Sequence, residues 1–115
     1  MDNYKKLIVW EKADNLAFLI YKATLLFPKE EVFGLTSQLR RAALSVPTNI
    51  VEGHSRGRKA EFAHFLDIAI ASLAETHYLI NFSKRLGYIP QGGDDLERLA
   101  QEVGKIIWSF RKSLR

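Results

Sequence analysis

The sequence predicts an all-α protein: an antiparallel up-down-up-down four-helix bundle formed by a single domain over residues 1–115. Three observations lead there. Apolar residues recur at three- and four-residue spacing along four long stretches, no alternating strand pattern is sustained, and glycine or proline punctuates the gaps. Short connections between long helices favour antiparallel neighbours. A chain of 115 residues buries roughly two thirds of its unfolded surface, so one core suffices without covalent staples.

Tyr4 to Val9 reads as a short extended or capping arm. The first helix is expected from about Val9 to Leu26 and stops at Phe27-Pro28, because the residue before proline leaves the helical region. Lys29 to Gly34 connects it to a second helix opening at Leu35 or Thr36 and reaching about Gly53, with a kink expected at Pro47. Its core stripe is Leu35, Leu39, Ala42, Val46 and Ile50, while Leu44, Pro47 and Val51 form a further apolar face. GHSRGRK is a turn. The third helix is expected from Lys59 to Leu86, with Phe62, Leu66, Ala69, Leu73, Thr76 and Ile80 inward. Gly87, Pro90 and Gly92-Gly93 make the longest loop, and Asp94 and Asp95 are expected to cap the fourth helix. Its expected core stripe is Leu96, Leu99, Val103, Ile106, Phe110 and Leu114.

The net charge is +4 and there is no cysteine. The missing thiols exclude a disulfide scaffold, a thiolate metal site and a cysteine nucleophile, and fit a reducing cytoplasm. The N-terminal stretch MDNYKKLIVWEKAD has too short an apolar run, broken by Glu11 and Lys12, for a signal peptide or a spanning helix, so no membrane partner is expected. Residues 1–39 balance, residues 40–59 carry +4, residues 60–97 carry −4 and residues 98–115 carry +4. Two basic zones therefore flank an acidic one. That polarity suits nucleic acid, or the pairing of subunits basic to acidic.

Catalysis is not expected. The turn from Gly53 to Lys59 lacks the glycine spacing, the following Ser or Thr and the preceding strand of a phosphate loop. Its His54, Arg58 and Lys59 nonetheless offer cations to a phosphate, as do Arg111, Lys112 and Arg115 in the last helix. Glu61 and His64 have the Glu-x-x-His spacing of di-iron bundles, but the second such pair is missing, so neither a metal nor any other cofactor is expected.

A polar ladder of Arg41, Ser45, Asn49, Glu52 and Arg56 runs along the second helix. It reads either as a structural network within the bundle or between subunits, or as a surface for nucleic acid or a protein ligand. Trp108 points away from the expected core, one turn after Gly104. With Leu44 and Val51 it is a candidate subunit contact, and stacking on a nucleobase is the competing reading.

GLTSQLRRAALSVPTNIVEGHSRG, preceded by YKKLIVWEKA and followed by EFAHFLDIAIASLAE and KRLGYI, resembles the bacterial four helix bundle protein family. That family is also known as S23 ribosomal-protein-like and is encoded in intervening sequences of 23S rRNA genes. It includes the accessory variability determinant of diversity-generating retroelements. The resemblance runs from Tyr4 to about Trp108. It implies a non-enzymatic homo-oligomer, with a pentamer expected, and RNA, DNA or an RNA–DNA hybrid as ligand. A reverse transcriptase is an implied partner. A protein-interaction scaffold without nucleic-acid contact is the alternative.

Overall fold

A computed structural model describes residues 2–114, with the Asp2 side chain outside that description. It contains four helices: α1, Ile8–Thr24; α2, Leu35–Ser55; α3, Lys59–Arg85; and α4, Gly93–Ser113. The Cα atoms extend 42 × 23 × 20 Å. Each helix packs on its neighbour in sequence and α4 closes back on α1, while the diagonal pairs stay apart across the core.

Side-chain partners set the helix directions. Gln38 meets Glu75 and Ser45 meets Ser72, and near the turn Gly53 meets Phe62 and Phe65, so α2 and α3 run antiparallel. Lys84 reaches Asp94 and Glu97 at one end of the α3–α4 pair, and Arg111 reaches Asp67 near the other. Lys12 bonds Glu102 at 3.3 Å across α1 and α4. Bundle topology is as the short connections imply.

The expected core positions of α2 and α3 are all buried. In α4 the stripe is centred elsewhere: Ala100 and Ile107 are buried with Leu96 and Val103, whereas Leu99, Ile106, Phe110 and Leu114 only flank the core. The expected stripe followed one edge of the buried face, through Leu99, Ile106 and Phe110, whereas Ala100 and the fully buried Ile107 mark the side that faces the core.

The ends also differ from expectation. Residues Asp2–Lys6 form a 3-10 turn rather than an extended arm, with Tyr4 edge-on to Trp10 at 5.0 Å. Helix α1 stops at Thr24, whose hydroxyl donates back to the Ile20 carbonyl and accepts the Arg40 Nε–H at 2.7 Å. Helix α2 continues through Pro47, which is itself buried. Neither Asp94 nor Asp95 caps α4. The cap is Gly92 at φ +80°, a left-handed conformation that favours glycine, while Asp94 pairs with Lys84 and Asp95 with Arg98.

Two close approaches shape the bundle. A Cβ on Gly53 would lie 2.7 Å from Phe65 Cβ, so α2 and α3 touch at a point only glycine permits. A Cβ on Gly104 would lie 3.3 Å from Leu73 Cδ2, so this glycine serves the contact of α4 with α3 in the same chain.

Candidate nucleic-acid interface

The bundle's antiparallel order brings the α2–α3 turn, the N-terminal turn and the end of α4 to one pole. Residues level with one another across the helices define two halves: 3–11, 45–73 and 105–114 form one, and 12–44 with 74–104 form the other. The first carries eight Lys and Arg against four Asp and Glu, the second eight against eight. Among residues 3–114 the excess of four positive charges therefore lies in one half. The sequence zones do not survive as blocks: Arg40 is held at the end of α1 and Arg98 by Asp95, both in the neutral half.

Within the basic pole the cations differ in freedom. Arg58 has a side chain 81% exposed and, among the described residues, a single ion-pair contact, 3.5 Å to Glu61. Lys59, Lys105 and Lys112 are exposed and have no ion pair among the described residues. Arg111 is committed: it donates to both Asp67 oxygens, at 2.9 and 3.3 Å. That bond holds the Asp67 carboxyl below its usual range and raises the Arg111 guanidinium. His54 is half-buried with its ring edge-on to Phe62, so it offers less to a ligand than its sequence position implied. Arg115 lies outside the described residues. Sequence reasoning missed Lys5 and Lys6, both exposed on the N-terminal turn, and Lys105. Lys105 could have been found, being three residues from Trp108 on the same helix face.

The polar ladder of α2 divides into separate parts. Ser45 and Ser72 share a hydroxyl hydrogen bond of 2.9 Å, and Asn49 Nδ2 donates to the Ser45 hydroxyl and carbonyl. Arg56 bonds Glu52 at 3.0 Å and lies over the Phe65 ring, both partners being well exposed. Arg41 is exposed beside the Gln38–Glu75 contact. Only the Ser45–Asn49–Ser72 trio is a half-buried network, joining α2 to α3.

The candidate interface residues are also separated. Leu44 is 46% exposed and shares a groove with Phe18 and Tyr21 of α1, in the neutral half. Val51 is half-buried and Trp108 is 58% exposed in the basic half. Most of the exposed large apolar side chains belong to the neutral half, among them Leu25, Leu26 and Phe33 near the α1–α2 connection. Among the described residues, no group of three His, Cys, Asp or Glu could hold a metal, and no helix is long and apolar enough to cross a membrane.

Residues 5–109 match the family model described as 23S rRNA-intervening sequence protein. A similar solved structure is a protein of unknown function from the S23 ribosomal protein family of Bacteroides thetaiotaomicron. It is 25% identical, with a TM-score of 0.82, and the match covers 91% of this chain and 96% of that one. No curated protein matches significantly.

Proposed function

The chain belongs to the 23S rRNA-intervening sequence protein family, and from that premise we propose that it is a non-enzymatic nucleic-acid-binding accessory protein acting as a homo-oligomer. The observation that carries this reading is the confinement of the net positive charge to one half of the bundle. Phosphates would be held there mainly through release of their counterions, by Arg58, Lys59 and Lys112. Binding of that kind is tight at low salt and largely indifferent to sequence. Subunits would meet through the neutral half, where Phe18, Tyr21 and Leu44 leave an apolar groove and little charge repulsion opposes contact. A cyclic arrangement, with a pentamer proposed, would align the basic halves on one rim and multiply their field.

The test is a binding titration with structured RNA, RNA–DNA hybrid and duplex DNA at several salt concentrations. Replacing Arg58 and Lys59 together by Ala should weaken binding to every sequence and flatten the salt slope by about one unit for each phosphate no longer neutralised. Melting should hardly change, since exposed charges contribute little to stability. Absence of binding to all three ligands at low salt would overturn the reading.

A second reading is a protein-interaction scaffold. It is favoured by Phe33, 95% exposed, together with Leu25 and Leu26 near the connection of α1 and α2. A partner such as a reverse transcriptase would dock there, and capture of that partner without any nucleic-acid binding would support this reading over the first.

A further inference from the structure

Gln101, Lys105, Trp108 and Lys112 follow one another at intervals of four, three and four residues on α4, which puts them on one stripe of the helix. All four are exposed and the stripe carries no carboxylate. Lys105 and Lys112 stand about 10 Å apart along the axis, at the ordinary rise per residue, with the indole between them. Acidic groups beside the stripe are engaged elsewhere: Glu97, one turn before Gln101, with Lys84 of α3, Glu102 with Lys12 of α1, and Asp67 with Arg111.

We propose that this stripe binds single-stranded nucleic acid, with an unpaired base stacked on the Trp108 indole and flanking phosphates held by Lys105 and Lys112. The inference rests on the nucleic-acid reading of the basic half and assigns it a site and a strand preference. Alternation of cation, aromatic ring and cation matches the alternation of phosphate and base in an unpaired strand. A duplex keeps its bases stacked inside, so it offers phosphates and groove edges but no free base face to the indole.

The competing use of Trp108, as a subunit contact, loses the support that Gly104 lent it. Gly104 already accommodates Leu73 of its own chain, so it does not mark the approach of another molecule. Covering the indole with a second copy of this half would also bring Lys105 and Lys112, which have no ion pair among the described residues, toward a positively charged surface. Interface cores are depleted of lysine.

The experiment uses the full chain and a labelled 12-nucleotide RNA of unstructured sequence, free or annealed to its complement, with binding followed by anisotropy at fixed low salt. Trp108→Ala should weaken single-strand binding by about 5- to 150-fold, the range for removal of one stacked base. Duplex affinity should stay within about twofold, and Trp108→Phe should retain an intermediate single-strand affinity because a smaller ring still stacks. Light scattering on each variant should give the wild-type mass, and circular dichroism should give the wild-type melt. Unchanged single-strand affinity, or equal losses on both ligands, would overturn the stacking site. Retained salt-sensitive duplex binding would then leave the basic-half reading standing. A fall in mass in Trp108→Ala would make the residue a subunit contact and overturn the proposal. Failure of the wild type to bind either RNA would overturn both readings together.

Discussion

The Glu31 carboxylate accepts the Tyr88 hydroxyl at 3.0 Å, joining the α1–α2 connection to the chain just beyond α3. Its other oxygen accepts the Leu35 amide at 3.0 Å, satisfying one of the four free N–H groups at the start of α2. Phe27 packs against the Tyr88 ring at 5.3 Å. One carboxylate thus serves as a helix cap and as a tie between two connections.

Both bonds depend on Glu31, so Glu31→Ala should lower the melting temperature more than Tyr88→Phe. Adding Tyr88→Phe to Glu31→Ala should change little further, which a double-mutant cycle checks. Additive effects would show that the two groups are independent. Hydrogen bonding to the carboxylate raises the Tyr88 hydroxyl pKa. Its contribution is therefore present below the ordinary tyrosine value and lost as pH rises through the folded one.

Gly53→Ala should destabilise the bundle despite alanine's better helix propensity. The new methyl would lie 2.7 Å from Phe65 Cβ and 2.9 Å from Phe62 Cδ1. Overpacking of this kind costs about 1–3 kcal/mol, against a propensity gain of about 1 kcal/mol. Gly104→Ala meets only the end of the flexible Leu73 side chain at 3.3 Å, so its net effect should be near zero. Urea unfolding of both variants checks the contrast, and equal behaviour would remove the distinction between the two sites.

Lys84 ties α3 to α4 by bonding Asp94 and Glu97, the latter at 2.5 Å. Those bonds depress both carboxyl pKa values and raise that of the lysine. The carboxylates' contribution is present above their unfolded values of about 4 and lost as pH falls through the folded values; the lysine's is present below about 10.4 and lost on crossing its folded value. Melting followed from pH 7 to pH 2 should show a declining acid limb in the wild type and a shallower one in Lys84→Met. An identical slope would mean that other carboxylates govern acid unfolding.

Leu44→Arg should lower the oligomer mass measured by light scattering, because it inserts charge into the groove beside Phe18 and Tyr21. The monomer should remain folded, as Leu44 lies outside the core. Unchanged mass would move the proposed subunit contact away from α1 and α2.

Much of this architecture could be read from residue order. One-sided periodicity placed Leu39, Val46 and Ile50 of α2, and Leu66, Ala69 and Ile80 of α3, in the core where they are found. In α4 two apolar stripes compete, because Ile106 and Ile107 are adjacent and equally apolar; alanine is a weak signal, so Ala100 did not tip the choice to the side of Ile107 that is buried. The family resemblance is shown by the match over residues 5–109. Pairings between helices were not legible, since they depend on which residues stand level after folding. Lys84 with Glu97 and Arg111 with Asp67 are of that kind. The charge asymmetry was half visible: local tallies revealed the basic turn and final helix, but only the antiparallel order places Lys5, Lys6, Lys105 and Lys112 in the same half.

A bundle that is cationic in one half and neutral in the other is an electric dipole along its long axis. A polyanion therefore exerts a torque as well as an attraction, turning the basic end forward before contact. At physiological ionic strength the field decays over about 8 Å, a short distance beside the 42 Å length of the molecule. The neutral end is consequently blind to whatever occupies the other. Two ligands could load in either order with little electrostatic penalty, and salt could release the one at the cationic end while leaving an apolar contact at the far end intact.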